Sequence, residues 1–247
     1  MSAVPSAAED TAPPEVSIVI PVYNEERILR GAVLELRERL EDAGLCFEIV
    51  LAENGSRDGT AAVAAELALR HPEVRTFSVG APNYGRALRL GIERARGRFV
   101  VCEEIDLCDV DFQRRAVAML ERGEADMVIG SKLARGAEDE RPLGRHAGSL
   151  LYNGLLRITL GFRGTDTHGL KAFRREALLP VVRACVVERD VFASELVIRA
   201  HRAGLRVAEV PVKLREKRPP SVHLWRRVPN VLGNVARLVW VIRLRRG

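Results

Sequence analysis

The sequence has little that would support a membrane-spanning, secreted or fibrous protein. No run of 18 uncharged apolar residues occurs among its 247 residues, which disfavours a conventional transmembrane span. Its four cysteines form no C-x-x-C pair and no secretory signal is recognisable, so we expect reduced thiols, as in a cytosolic protein. Aromatic residues are only 5%, yet hydrophobic residues reach 47% and charged residues 29%, which is typical of a globular chain.

Acidic residues are nearly missing from the C-terminal stretch. Residues 213–247 contain ten Lys and Arg but a single acid, Glu216, and carry a net charge of +9. The preceding 212 residues carry a net charge of −3. Because the basic excess is local, it argues against a nucleic-acid-binding globule and predicts an anionic contact at the C-terminus.

From residue 16 onward, short apolar runs alternate with segments that have helical spacing. Four successive strand–helix units and a fifth strand at 126–130 predict an α/β fold with a mostly parallel central sheet flanked by helices. The second half is less regular, with helices expected at about 146–160, 175–183 and 193–203 and a strand at 205–210. We expect a disordered Pro-rich leader, one domain and a basic amphipathic segment over residues 1–14, 15–218 and 219–247, respectively.

Polar residues follow four of the predicted strands, at the sheet edge where parallel α/β sheets bind ligands. These groups are Tyr23–Glu25, Glu53–Asn54, Asn83–Arg86 and Glu103–Asp109. Some of them also have a structural interpretation. Asn24 before two acids can begin a helix, and the residues from Gly55 to Thr60 form a turn before another helix. No G-x-G-x-x-G follows the first strand, which disfavours a dinucleotide-binding dehydrogenase.

Three acids within four positions follow the fourth strand: Glu103, Glu104 and Asp106. Such acids repel one another unless a cation or a basic partner neutralises them. Oxygen ligands on a loop suit Mg²⁺ or Mn²⁺ shared with a diphosphate. The alternative is a solvated acidic turn.

Four motifs occur in the order and at the separations of family 2 glycosyltransferases, which the chain resembles over about residues 16–212. The motifs are VSIVIPVYNEE, ENGSRDGTA, NYGRALRLGI and CEEIDL. The resemblance implies the nucleotide-sugar-binding fold of A-type glycosyltransferases. It also implies transfer of a sugar with inversion from a GDP- or UDP-sugar, with a divalent metal that neutralises the leaving diphosphate.

The resemblance assigns a donor site residue by residue. Glu104, Ile105 and Asp106 stand at the D-x-D position, where Asp106 would bind the metal and Glu104 would reach the metal or the ribose. The remaining donor-site residues are Pro21, Tyr23 and Glu25 at the nucleoside, Ala52, Glu53 and Asn54 at the base, and Asn83 and Arg86 after the third strand.

The second half resembles the dolichyl- and polyprenyl-phosphate sugar synthases. The segments on which this resemblance rests are GSK at 130–132, DTHGLKAFR at 166–174 and EVP at 209–211 followed by Arg218. By this resemblance Lys132 and Arg218 bind phosphates, and the acceptor is a polyprenyl phosphate. The alternatives are a hydroxyl acceptor on a soluble saccharide or small molecule, and a catalytically silent nucleotide-sugar-binding protein, since Glu104 departs from D-x-D.

The acceptor decides whether a general base is needed. A phosphate monoester is already anionic near neutrality, whereas a hydroxyl must lose its proton to a carboxylate. We expect Glu195 to be the best-placed carboxylate and Asp166 the second. His168 is more simply interpreted as structural.

The C-terminal segment carries one apolar stripe at three- and four-residue steps. Its members are Leu224, Val228, Val231, Leu232, Val235, Leu238, Val239 and Ile242, with arginines on either side and Trp225 and Trp240 nearby. A basic amphipathic helix with Trp is typical of a helix lying on an anionic membrane, which would place the protein at the inner face of a cytoplasmic membrane. The alternative is a helix that packs on the domain or on a partner subunit, as in a homodimer.

Overall fold

The structure, a computed structural model, describes residues 13–139, 143–188, 191–214 and 228–243. Its strands are β1 Val16–Val22, β2 Phe47–Glu53, β3 Val74–Ser78, β4 Phe99–Cys102, β5 Met127–Ser131, β6 Glu138–Asp139, β7 Leu170–Arg174, β8 Val207–Pro211 and β9 Lys213–Leu214. Its helices are α1 Glu26–Asp42, α2 Thr60–Arg70, α3 Tyr84–Arg94, α4 Val110–Glu121, α5 Leu143–Leu160, α6 Arg175–Ala184, α7 Phe192–Arg202 and α8 Val228–Arg243. Most of the predicted leader and Arg218 lie outside the described residues.

A seven-stranded sheet forms the centre of the domain, in the order β3-β2-β1-β4-β7-β5-β8. All neighbours run parallel except β7, which is antiparallel to both β4 and β5. The predicted α/β fold with a mostly parallel sheet is therefore confirmed. A short two-stranded sheet pairs β6 with β9.

The two faces of the sheet bury alternate residues of each strand, which is why the strands are continuous apolar runs. On one face, Val19 and Val50 pack in the same core as residues of α3, α6 and α7. On the other face, Ile18 and Ile49 pack with α1, α2 and α4. With helices on both faces, the polar loops at the carboxyl ends of the strands are left to form the site.

Helix α8 packs on this domain. Val235, Leu238 and Ile242 are buried in the same core as Leu156 of α5 and Leu196 of α7. The described part of the predicted apolar stripe is thus turned mainly toward the domain, which corrects the interpretation that the stripe itself faces a membrane. The division at residue 218 stays a prediction. Within the described ranges, no helix is both long and apolar enough to cross a bilayer.

Candidate active site

The loops that follow β1 and β2 are bonded to each other at the sheet edge. The backbone N–H of Asn24 donates to Ser56 Oγ at 3.0 Å, and Asn24 Oδ1 accepts from the N–H of Arg57 at 2.9 Å. The N–H of Glu25 donates to Thr60 Oγ1 at 2.7 Å. Asn24 has φ 54°, in the left-handed region that Asn tolerates better than most residues. Asn24 therefore joins two loops instead of capping α1.

The predicted nucleoside residues lie along this edge with different exposures. Ala52 is fully buried, Pro21 and Glu25 are half-buried, and Tyr23 is exposed. An exposed aromatic ring at the end of a central strand is suited to stack on a planar base.

Glu53 and Asn54 are buried and hold neighbouring loops. Glu53 accepts from the backbone N–H of Ser56 at 2.5 Å and from the Ser78 hydroxyl. Burial alone would raise the pKa of Glu53, but these hydrogen bonds outweigh it and lower the pKa. Asn54 Oδ1 accepts from the backbone N–H of Asn83 at 2.6 Å. Both side chains thus have structural partners, and their contact with a base stays a prediction.

Asn83 connects the loops around Glu53 and Asn54 to the second half of the chain. Its Oδ1 accepts from the N–H of Arg86 at 3.1 Å, which caps α3, and its Nδ2 donates to Glu188 at 3.3 Å. Arg86 itself is exposed.

The loop after β4 presents two carboxylates to solvent and anchors itself with an apolar residue. Glu104 is exposed and Asp106 is half-buried, whereas the Ile105 side chain is buried. Any contact of Ile105 with a donor is therefore confined to its backbone. In the described part of the chain, no group of three or more His, Cys, Asp or Glu side chains forms a metal cage. Two accessible carboxylates still fit a Mg²⁺ or Mn²⁺ that takes its other ligands from a diphosphate and water.

The three acids can lie close together on this loop because one of them, Glu103, is mostly uncharged. Its carboxyl is buried and accepts a hydrogen bond from Gln113 Nε2 at 3.0 Å. Burial raises the pKa of Glu103 to about 8. Near neutral pH this side chain is mostly uncharged, so the accessible charges on Glu104 and Asp106 have one fewer repulsive neighbour.

A groove of about 950 Å³ borders the same loop, beside Asp106 and α4. Its lining includes Arg39, Arg114 and Asp111 together with apolar residues. Because charges of both signs and a larger number of apolar side chains line the groove, it is suited to a ligand that has both polar and apolar parts.

Two lysines and an aspartate meet at the ends of β5 and β7, which lie on the other side of β4 from β1 and β2. Lys132 Nζ lies 3.1 Å from Asp166 Oδ2, and Asp166 Oδ1 accepts from the N–H of His168 at 2.9 Å. Burial alone would raise the pKa of Asp166, but Lys132 and the His168 N–H outweigh it and lower the pKa. Lys171 is buried beside this pair and donates to the Gly169 carbonyl at 2.6 Å.

Lys171 was not predicted as a site residue. Burial lowers the pKa of its ammonium, while the nearby Cys102, Asp166 and Glu104 act in the opposite direction. Its place in a chain segment that resembles a phosphate-sugar synthase motif was the available signal. Lys132, Asp166, Lys171 and Glu104 thus belong to one electrostatic cluster.

The loop before β7 is held in place by a half-buried glutamate and by the close approach of Gly169 to β5. Glu209 of β8 accepts from both the N–H and the hydroxyl of Thr165, each at 2.6 Å. A Cβ on Gly169 would lie 1.9 Å from the carbonyl oxygen of Gly130, so glycine is required at this position. Asp166 is therefore positioned by contacts that sequence reasoning did not foresee.

Glu195 does not fit its predicted role as a general base. Its carboxylate is fully buried and accepts from the N–H groups of Val186 and Val187 at 3.0 and 2.7 Å and from Arg199 Nε at 2.7 Å. These partners lie in the chain segment before α7 and within α7 itself. Glu195 holds that segment, so its carboxylate is not open to an acceptor hydroxyl.

A second polar cluster, missed from the sequence, lies between α5, α7 and the loop before β7. Ser194 Oγ lies 2.9 Å from both Tyr152 Oη and Thr167 Oγ1. His168 stacks edge-on against Tyr152, with ring centroids 5.1 Å apart. The Tyr-Asn pair at 152–153, with two leucines on either side of the YNG segment, was the signal for this cluster. His168 is exposed at its rim.

Comparison with known proteins agrees with this geometry. Residues 17–180 match the model of glycosyl transferase family 2. The chain is 35% identical to glycosyltransferase AglD of Haloferax volcanii, over 97% of this chain and 39% of that protein. It is 30% identical to dolichyl-phosphate beta-glucosyltransferase ALG5D of Trichomonas vaginalis, over 81% of this chain and 66% of that protein.

The fold is also that of a solved glucosyl-3-phosphoglycerate synthase from Mycobacterium tuberculosis, in complex with Mn²⁺, UDP and glucosyl-3-phosphoglycerate. The two share 23% identity with a TM-score of 0.61, covering 94% of this chain and 79% of that one. The chain spans about two fifths of the length of AglD and about two thirds of ALG5D. The motifs, the fold and the family match together show that this chain belongs to glycosyl transferase family 2.

Proposed function

We propose that this chain transfers a sugar, with inversion and with a divalent metal, from a nucleotide-sugar to the phosphate of a polyprenyl phosphate. Relatives named as dolichyl-phosphate glucosyltransferases support the acceptor class. Such an acceptor would place the reaction at a membrane surface, with the donor supplied from the cytoplasm.

This proposal rests mainly on one observation: both candidate general bases are already bonded to other groups of the protein. Glu195 is buried and bonded to two backbone N–H groups and Arg199, and Asp166 is buried and paired with Lys132. A hydroxyl acceptor needs a carboxylate that takes its proton, whereas a phosphate oxygen is already anionic. A site with both bases engaged therefore favours a phosphate acceptor over a hydroxyl.

The donor would lie along the ends of β1, β2 and β4. Tyr23 would stack on the base, and Glu104 and Asp106 would hold the metal and the ribose or diphosphate. A bound Mg²⁺ or Mn²⁺ would offset the negative charge that develops on the leaving nucleoside diphosphate.

The acceptor phosphate would lie beside Lys132 and Lys171, whose charges keep it next to the donor. One of its oxygens attacks the anomeric carbon from the face opposite the nucleotide. The bond from that carbon to the diphosphate oxygen breaks, and its electron pair stays with the leaving nucleoside diphosphate. No proton has to be moved, which agrees with the finding that Asp166 and Glu195 are bonded to other groups of the protein.

A pair of acceptors tests the proposal: a polyprenyl phosphate and the polyprenol of the same length. A thermal-shift panel of GDP-, UDP- and dTDP-sugars with and without Mn²⁺ first identifies the donor, because a ligand that binds only the folded state raises its stability. We expect transfer to the phosphate and none to the alcohol. Transfer to the alcohol or to a soluble saccharide, but not to the phosphate, would overturn the proposal.

The metal role is tested with Asp106→Asn and the matched control Asp111→Asn, an exposed acid nearby on α4. We expect Asp106→Asn to abolish the Mn²⁺-dependent shift without lowering the melting temperature of the free protein. Asp111→Asn should retain both. If Asp106→Asn transfers sugar at the wild-type rate, Asp106 is not a metal ligand. If the wild-type protein neither hydrolyses the nucleotide-sugar nor transfers its sugar, a catalytically silent binding protein is favoured.

A further inference from the structure

Helices α5 and α8 pack against each other, and each has large apolar side chains exposed to solvent as well as a buried side. On α5, Leu151 is 73% exposed and Ile158 is 82% exposed. On α8, Leu232 is 54% exposed and Trp240 is 52% exposed. We call this surface the α5–α8 face. It includes Leu232 of the predicted stripe, whereas the stripe members Val235, Leu238 and Ile242 are buried against the domain.

The α5–α8 face concentrates exposed apolar residues in a way the rest of the domain does not. Half of the large hydrophobic residues that are exposed in the described part of the chain lie on these two helices. Single exposed apolar residues are normal, but their concentration on two neighbouring helices is typical of an interaction surface.

Charge on the two helices has only one sign. Neither the 18 residues of α5 nor the 16 residues of α8 include an Asp or Glu, although the chain has 33 acids. Arg157 on α5 and Arg237 and Arg243 on α8 are exposed. The sequence on either side of α8 adds further arginines and no acid after Glu216.

We propose that the α5–α8 face binds an anionic lipid surface. Exposed Leu, Ile and Trp side chains would enter the interfacial layer, and the flanking arginines would contact lipid headgroups. Charge decides between this occupant and a second copy of the chain. Two copies of a face that lacks acids would set arginines against arginines, whereas an anionic bilayer complements them.

The position of α5 connects this face to the candidate site. The outward side of α5 carries Leu151 and Ile158, while Tyr152 on the same helix contacts Ser194 and His168 at the site. If the proposed acceptor class is correct, a bilayer under α5 would bring a lipid-linked phosphate to the rim marked by His168. The lipid binding itself does not depend on that acceptor.

Co-sedimentation of the full chain with vesicles tests the proposal without any acceptor. The probes are phosphatidylcholine vesicles with and without phosphatidylglycerol, at low and high salt. We expect binding to the anionic vesicles that weakens as salt screens the arginines. Arg237→Gln with Arg243→Gln should weaken it by about 25-fold, roughly 5-fold for each arginine.

The apolar contribution to vesicle binding is tested with Leu151→Ser combined with Trp240→Ser. We expect at least a tenfold loss of vesicle binding, from the apolar area no longer buried in the interface. The matched controls are Leu69→Ser, at a residue of α2 that is 88% exposed, and Arg70→Gln beside it. Both controls should bind as the wild type does, and all variants should retain the thermal shift with the donor.

Three results would overturn the proposal: wild-type protein that stays in the supernatant at low salt, a control that loses as much binding as the face variants, or equal binding to neutral vesicles. A wild-type dimer by light scattering that the face variants convert to monomer would assign the face to a second copy instead. Vesicle binding without transfer to a polyprenyl phosphate would refute the acceptor assignment alone.

Discussion

Lys132 and Asp166 form a buried ion pair, with 3.1 Å between Nζ and Oδ2 and side-chain exposures of 11% and 1%. The first follows β5 and the second precedes β7, so the pair joins two neighbouring antiparallel strands near their polar ends. The sequence motifs suggested separate roles for them, a phosphate contact and a second-choice base. Their contact makes them one unit, in which the lysine stabilises the carboxylate and the carboxylate orients the lysine.

Removal of Lys132 should destabilise the fold more than removal of both charges. We expect Lys132→Met to lower the free energy of unfolding by about 3 kcal/mol, because it leaves a buried carboxylate without its partner. Asp166→Asn added to Lys132→Met should recover part of that loss. Urea denaturation of the two variants measures the difference.

The same pair predicts a pH dependence. The pKa of Asp166 is lowered in the folded state, so its stabilising contribution is present above its unfolded pKa of about 3.9 and is lost as pH falls through the folded value. The difference in stability between wild type and Lys132→Met should therefore shrink at lower pH. A difference that stays constant down to pH 3 would contradict the ion pair.

Glu103 predicts the opposite dependence. Its pKa of about 8 is above the unfolded value of about 4.3, so the folded state holds more protons between those values. The free energy of unfolding should then fall with rising pH in this window, by at most about 1.4 kcal/mol per pH unit. Glu103→Gln should remove this part of the slope, and an unchanged slope would show that Glu103 is ionised in the fold.

Asn54→Leu should affect both stability and the nucleotide. Loss of its hydrogen bond to the Asn83 N–H leaves a partly buried donor without its acceptor and should cost about 1 kcal/mol. If Asn54 also contacts the base, binding of the nucleotide weakens while binding of free diphosphate with metal is nearly unchanged. Equal losses for the two ligands, by calorimetry, would make Asn54 purely structural.

Glu195 variants separate a structural role from a catalytic one. We expect Glu195→Ala to lower the free energy of unfolding by about 3–5 kcal/mol, because Arg199 and two backbone N–H groups lose their buried acceptor. Glu195→Gln should be milder and should retain most of kcat. A stable Glu195→Gln protein with a hundredfold lower kcat would restore Glu195 as the base.

Two leucines of α8 test whether that helix belongs to the core. Leu238 is fully buried against the domain, whereas Leu232 is 54% exposed. Leu238→Ala should lower the free energy of unfolding by about 2–5 kcal/mol, whereas Leu232→Ala should change it by less than about 0.5 kcal/mol. Equal, small effects in chemical denaturation would show that α8 contributes no packing to the domain.

Local patterns in the sequence were sufficient for the α/β fold and for most of its elements. The apolar run at Val16–Val22 is long enough and continuous enough to require burial on both faces, which a parallel sheet provides. Strand β7 escaped prediction because Leu170–Arg174 is short and contains Lys and Arg. Its strand conformation depends on pairing with β4 and β5, which are distant in the chain.

The family followed from motifs in the sequence. The parallel topology also predicted that residues at the strand ends, including the candidate carboxylate Asp106, lie at one edge of the sheet. The tertiary structure alone decided which carboxylates are accessible. Asp106 and Glu195 are the same kind of group in sequence, but one lies half-exposed on a loop and the other is enclosed by backbone donors. Helical periodicity likewise located the stripe of α8, and only the packing against α5 and α7 determined that Val235, Leu238 and Ile242 are buried while Leu232 of the same stripe is exposed. Burial and hydrogen bonding depend on contacts between distant segments, and no local pattern encodes them.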